Sequence, residues 1–125
     1  MKQQSLKDAA VEFMSLVASG KVQEAYDRHV GPEFRHHNPY FRGDADSLRT
    51  AMAENAAKNP DKRLDIQFAL EDGERVAVYS RSRQNPGERG SAVVHLFRFD
   101  RGRIAELWDV GQAVPAESAN ENGMF

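Results

Sequence analysis

The stretch Ser91-Ala92-Val93-Val94-His95-Leu96-Phe97-Arg98-Phe99-Asp100-Arg101-Gly102-Arg103-Ile104-Ala105-Glu106-Leu107-Trp108-Asp109-Val110-Gly111-Gln112 reads as two strands, Ser91 to Asp100 and Arg103 to Gln112, joined around Arg101-Gly102. The turn decides which side chains share a face. Glycine in the third loop position suits a type I turn followed by a left-handed bulge residue, so the sequence predicts a three-residue loop in which Phe99 opposes Arg103. Counting back sets Phe97 against Ala105, His95 against Leu107 and Val93 against Asp109. His95 and Asp109 are then diagonal neighbours on one face. A two-residue Arg101-Gly102 turn would slip the register by one and send them to opposite faces.

Upstream of these strands the period changes. Leu64, Ile66, Phe68 and Leu70 alternate with Asp65, Gln67, Ala69 and Glu71, the pattern of a strand with one face on a core. Asp72-Gly73 signals a hairpin, Val76 to Arg83 forms the return strand, and Asn85-Pro86-Gly87-Glu88-Arg89-Gly90 is a loop. Before Pro60 the spacing is helical. Ala9, Phe13, Met14, Leu16 and Val17 recur every three or four residues between Ser5 and Ser19, with a capping-box start at Ser5 and Asp8 and a stop at Gly20. A short helix from Lys21 to His29 turns Val22, Ala25 and Tyr26 inward and breaks at Val30-Gly31-Pro32. Glu33 to Gly43 is irregular, a short strand running into a loop. Asp44 or Asp46 caps a third helix, Ser47 to Lys58, with Leu48, Met52 and Ala56 on one face. Residues 113–125 are a polar tail, so 1–125 reads as one domain. Helices first and antiparallel strands afterwards make an α+β layout in which a bent sheet closed by helices leaves a conical cavity.

Composition narrows the function. The chain has 125 residues, 40% apolar and 29% charged, with 17 Lys and Arg against 19 Asp and Glu for a net charge of -2. A chain of this size buries roughly 65–70% of its unfolded surface. The basic footprint of a nucleic-acid binder is missing. There is no cysteine, hence no disulfide, no thiolate nucleophile and no Cys-ligated zinc. The first ten residues carry no apolar run of signal-peptide length, and no stretch approaches a bilayer-spanning segment, so the expectation is a cytoplasmic protein without membrane contact.

His95 and Asp109 are the first candidates for chemistry. Apolar neighbours Phe97, Ala105 and Leu107 on their shared face would penalise a charged carboxylate, which suits a proton-transferring Asp109, while His95 can hydrogen-bond it or polarise a substrate oxygen. The plainer alternative is a structural Asp-His pair. The segment His36-His37-Asn38-Pro39-Tyr40 is the second candidate. Strand alternation lets only one of His36 and His37 enter a cavity, which argues against a His-His metal site, and no ligand spacing supports a metal. Lys2, Lys7, Lys21, Lys58 and Lys62 fall at polar termini or helix ends, which disfavours a Schiff base. No Gly-x-Ser-x-Gly elbow, phosphate loop or dinucleotide fingerprint occurs. Tyr26, Tyr79, Phe97 and Trp108 are candidate pocket aromatics, although such residues are more often plain core. Glu106 and Trp108 fall on the face opposite Asp109, where they would serve a subunit interface.

His37-Asn38-Pro39, the long segment from Val94 to Gln112 and the tail Asn122-Gly123-Met124-Phe125 together resemble the SnoaL-like proteins of the nuclear transport factor 2-like superfamily. The resemblance covers nearly the whole chain. It implies a cone-shaped fold, about three helices over a strongly curved, mixed and largely antiparallel sheet, and a homodimer through the outer sheet face. It further implies a lyase or isomerase of the polyketide-cyclase type, closing a ring by aldol condensation without metal or cofactor. The acid/base Asp and its assisting His fall on Asp109 and His95, and the polar segment at the cavity rim falls on His37 and Asn38. The expected partner is a small apolar or carbonyl-containing molecule. Two other readings stay open: an epoxide-type hydrolase with Asp109 activating water, and a non-catalytic ligand-binding or dimerisation module.

Overall fold

The computed structural model describes residues 4–125; Met1, Lys2 and Gln3, the beginning of the stretch inspected for a leader, lie outside the described residues. The elements run α1 (Leu6–Ala18), α2 (Val22–His29), β1 (Val30–His36), α3 (Ala45–Lys58), β2 (Arg63–Asp72), β3 (Arg75–Arg83), β4 (Ser91–Asp100) and β5 (Arg103–Ala113). Ser5 caps α1 by accepting a hydrogen bond from the Asp8 amide at 3.1 Å. Asp44 does the same for α3 through the Ser47 amide at 3.1 Å, so α3 begins at Ala45, two residues before the start expected for it.

Three helices pack on a five-stranded mixed sheet of order β1-β5-β4-β3-β2. The edge strand β1 runs parallel to β5 and the remaining pairs are antiparallel. Phe13 of α1 lies between Tyr26 of α2, with ring centroids 5.7 Å apart, and Phe97 of β4, at 6.0 Å. Val76, Val78, Phe99, Ile104 and Leu107 complete the apolar sheet face beneath the helices. Each such side chain, once enclosed, contributes roughly 1.5–3 kcal/mol.

Two β-bulges change what the strands present. In β2 the pairing shifts between Ile66 and Phe68, so Leu64 and Ile66 face the helices, in phase with Ser82 and Ser80. Beyond the shift Ala69 takes over the inner phase, opposite Val78, while Phe68 and Leu70 turn outward opposite Tyr79 and Ala77. The single apolar face expected for Leu64, Ile66, Phe68 and Leu70 is therefore divided between the two sides of the sheet. An extra residue in one strand rotates everything after it by one position.

The β4–β5 hairpin carries the second correction. Its turn is the two-residue Arg101-Gly102 form, closed by Asp100 opposite Arg103, with both turn residues at positive φ, 54° and 79°. These angles match the hairpin turn whose twist fits two strands directly. That turn alone would have parted His95 from Asp109. Ala105 restores them: Phe99 pairs Ile104 but Arg98 pairs Glu106, so Ala105 is the extra residue and the register beyond it shifts by one. Phe97 then faces Leu107 rather than Ala105, and His95 faces Asp109 directly rather than diagonally.

Candidate functional site

His95 and Asp109 stand opposite one another on the sheet face that also carries Phe97 and Leu107. His95 lines a cavity of about 110 Å³ together with Phe13, Met14, Met52, Lys62, Leu64 and Ser82. The wall is mostly apolar, with His95, Lys62 and Ser82 as the polar groups. Burial pulls the His95 imidazole down to about 4, against a smaller upward pull from Asp109 and in concert with the Lys62 charge, so the ring is neutral near pH 7. Its Nδ1 is enclosed and has no hydrogen-bond partner among the described residues.

Asp109 is half-buried and held from the far side of the sheet edge. Asn38 donates from Nδ2 to its Oδ2 at 3.0 Å. The amide is itself oriented, because Asn38 Oδ1 accepts from the Tyr40 amide at 3.0 Å, a local turn that the Asn-Pro sequence favours. The Asn38 backbone N–H reaches His36 Nδ1 at 3.2 Å. A strand end, a turn and a hairpin thus converge on one carboxylate, through residues far apart in the chain.

Of the two adjacent histidines, His36 is the one on the inner face, buried beside Phe34 with ring centroids 6.2 Å apart. With Nδ1 accepting, the neutral ring carries its proton on Nε2, and Nε2 is enclosed without a partner among the described residues. Burial lowers the His36 pKa, opposed by Asp109 and Asp44. The signal was in the sequence: His36 is in phase with apolar Phe34, and His37 with Arg35.

His37 is accordingly corrected to the outer face. It stacks on Trp108, centroids 4.9 Å apart and planes 8° from parallel, and hydrogen-bonds Glu106. Glu106, expected at a subunit interface on the face opposite Asp109, does lie on that face but is buried beneath three partners: His37, Arg35 at 3.1 Å and Arg98 at 3.0 Å. The His37 hydrogen bond, reinforced by Arg35 and Arg98, outweighs burial and holds its carboxyl down to about 2. This cluster ties β1, β4 and β5 together on the side away from the cavity.

The candidate aromatics separate in the same way. Tyr26 and Phe97 belong to the core; the Tyr26 hydroxyl meets Met52 Sδ at 3.4 Å, so its link to the cavity is through that methionine. Tyr79 and Trp108 lie on the outer face. Tyr79 packs on Phe68 at 5.5 Å and donates to the Met124 carbonyl, while Phe125 lies 5.9 Å from its ring. The tail therefore crosses the outer sheet face. Two larger concavities also avoid the His95 cavity: one of about 460 Å³ beside Leu70, Leu96 and Trp108, another of about 680 Å³ among Arg35, Arg98, Arg101 and Arg103.

Lys62 departs from its expected position. It follows the Asn59-Pro60 helix stop, yet its side chain folds back, donating from Nζ to Asn55 Oδ1 at 3.0 Å and lining the cavity. Among the described residues no three His, Asp or Glu side chains are placed to hold a metal ion together, and no helix is long and apolar enough to cross a membrane.

Solved structures with this fold include a nuclear transport factor 2-like protein of unknown function from Cytophaga hutchinsonii, 18% identical, with a TM-score of 0.70 over 90% of this chain and 95% of that one. A protein provisionally assigned as a polyketide cyclase from Acidithiobacillus ferrooxidans is 21% identical, with a TM-score of 0.67 over 90% and 92% of the two chains. One provisionally assigned as an isomerase of the SnoaL-like family, from Agrobacterium tumefaciens, is 10% identical, with a TM-score of 0.72 over 88% and 100%. No curated protein matches the chain. The sequence profile of the SnoaL-like domain matches residues 10–107, a span from α1 into the first half of β5 that includes both His36 and His95 and stops two residues before Asp109, and the chain belongs to that family.

Proposed function

We propose that the chain is an acid/base enzyme acting on a small carbonyl compound, an isomerase or aldol-type cyclase that needs no cofactor. Asp109 takes a proton from the carbon alpha to the carbonyl and returns it, and neutral His95 donates a hydrogen bond to the enolate oxygen as charge develops there. Asn38 keeps the carboxylate turned toward the inner face. The single observation that carries this reading is the direct pairing of His95 with Asp109 beside a largely apolar cavity. A carboxylate paired across the strands with a neutral donor that lines a cavity matches the two ends of an enolisation. The SnoaL-like family membership supports the same chemistry.

Exchange of alpha hydrogens in deuterated water, followed by NMR with cyclohexanone as probe, tests it. The native chain should accelerate exchange, and Asp109→Asn should lower the rate by on the order of 10²–10⁴-fold while the unfolding midpoint stays in place. Exchange that survives Asp109→Asn unchanged would remove Asp109 from the role. If the native chain binds the ketone yet exchanges nothing, a ligand-binding module is the better description.

A further inference from the structure

We propose that Lys62 is a nucleophilic amine, which captures a small ketone or β-dicarbonyl compound as a Schiff base inside the His95 cavity. Three features of its placement lead there. The side chain lines the same 110 Å³ space as His95 and Ser82, walled otherwise by Phe13, Met14, Val17, Met52, Leu64 and Leu107. Its hydrogen bond goes to a neutral amide oxygen, Asn55 Oδ1, at 3.0 Å, and no carboxylate forms an ion pair with it among the described residues. Its position is fixed by the chain: Pro60 ends α3, Arg63 starts β2, and Lys62 between them is folded over the last turns of the helix.

The consequence is chemical. An ammonium paired to a carboxylate is held in its protonated, non-nucleophilic form, whereas a half-buried one beside apolar walls with only an amide acceptor is held there less firmly. Burial accordingly lowers the Lys62 pKa, and the neutral imidazole of His95 adds no negative charge to oppose that. The free amine adds its nitrogen lone pair to the carbonyl carbon. The resulting carbinolamine loses one water, made of the carbonyl oxygen and the amine's two hydrogens, leaving a carbon–nitrogen double bond. No oxidant or reductant enters. From a β-dicarbonyl compound the imine tautomerises to a conjugated enaminone, which is stable and absorbs in the near ultraviolet.

The capture step shares with the proposed function only the premise that the cavity admits a carbonyl compound. Acetylacetone, small enough for the cavity, tests it directly. Incubated with the full chain near pH 7, it should produce an enaminone absorbance and a mass gain equal to the diketone less one water. Peptide mapping should place the adduct on Lys62, formed several-fold faster than on Lys7, Lys21 or Lys58, because a lowered pKa leaves a larger share of free amine. Lys62→Arg keeps the charge and the Asn55 partner and should abolish the adduct. The adduct is read by mass and absorbance on Lys62 and the proton transfer by deuterium exchange, so a failed proton-transfer role and a failed capture role give different results. Equal labelling of all lysines, or adducts that omit Lys62, would overturn the proposal.

Discussion

His95 illustrates how one side chain couples site chemistry to stability. In the unfolded chain its imidazole titrates near 6.5, and in the native fold near 4. Between those values the unfolded state binds the proton and the native state does not, so stability rises with pH through that window. The contribution is full above pH 6.5, declines as pH falls, and is gone below about 4; at most it amounts to about 3 kcal/mol. His36 is shifted in the same direction and adds to the slope. Urea midpoints at pH 7, 5.5 and 4 should therefore fall steeply for the native chain and less steeply for His95→Gln, which has no proton to gain. Identical slopes would mean that His95 is solvated and charged in the native fold, contrary to its enclosure beside Phe97.

At the scale of elements, the loop between β3 and β4 depends on one glycine. Gly90 has φ of +73°, and a Cβ placed there would lie 2.1 Å from the Ser82 carbonyl oxygen and 2.5 Å from Arg83 Cγ. Gly90→Ala should cost about 2–4 kcal/mol, read as a lower urea midpoint at unchanged slope, because backbone strain and a clash with backbone coincide. Gly87→Ala in the same loop is the control. Its Cβ would meet only Asn85 Oδ1 at 3.4 Å, and its effect should stay within about 0.5 kcal/mol. Equal effects at the two glycines would refute the account. The loop itself is legible in the sequence, as are the helices, because caps and three-to-four spacing act within a few residues. Bulges are less legible. Nothing near Gln67 announces the one that turns Phe68 and Leu70 outward, and Ala105 is an ordinary alanine whose role is set by pairing with Arg98. His95 and Asp109 meet although the turn has two residues rather than the three its glycine suggests, since Ala105 offsets the register slip. Choosing His36 over His37 needed only the phase of Phe34, whereas the inward course of Lys62 depends on contacts between α3 and the cavity that no local pattern encodes.

Across the whole molecule, the outward turn of β2 creates a surface that a lone chain leaves wet. Phe68 is 55% exposed, Leu70 62%, Leu96 39% and Val110 67%, all in the outer phase of the sheet. The tail covers the Tyr79 end of this face, with Phe125 against Tyr79 and beneath the Arg81 guanidinium at 5.3 Å. The end bearing Leu70, Leu96 and Trp108 stays open as a groove of about 460 Å³. A contiguous apolar patch of this kind is the mark of an interaction surface, and a two-fold axis lets one patch cover its own copy. We therefore expect a homodimer formed through the outer face, with the cavities on the far sides of the two sheets. Light scattering during gel filtration should give twice the chain mass. Leu96→Glu together with Val110→Glu should weaken association by on the order of 10–100-fold, since each buries a charge at the centre of the contact. The chain's acceleration of ketone alpha-hydrogen exchange should persist in that variant, because neither residue lines the His95 cavity. A native chain that elutes at the mass of one copy at high micromolar concentration would overturn the homodimer.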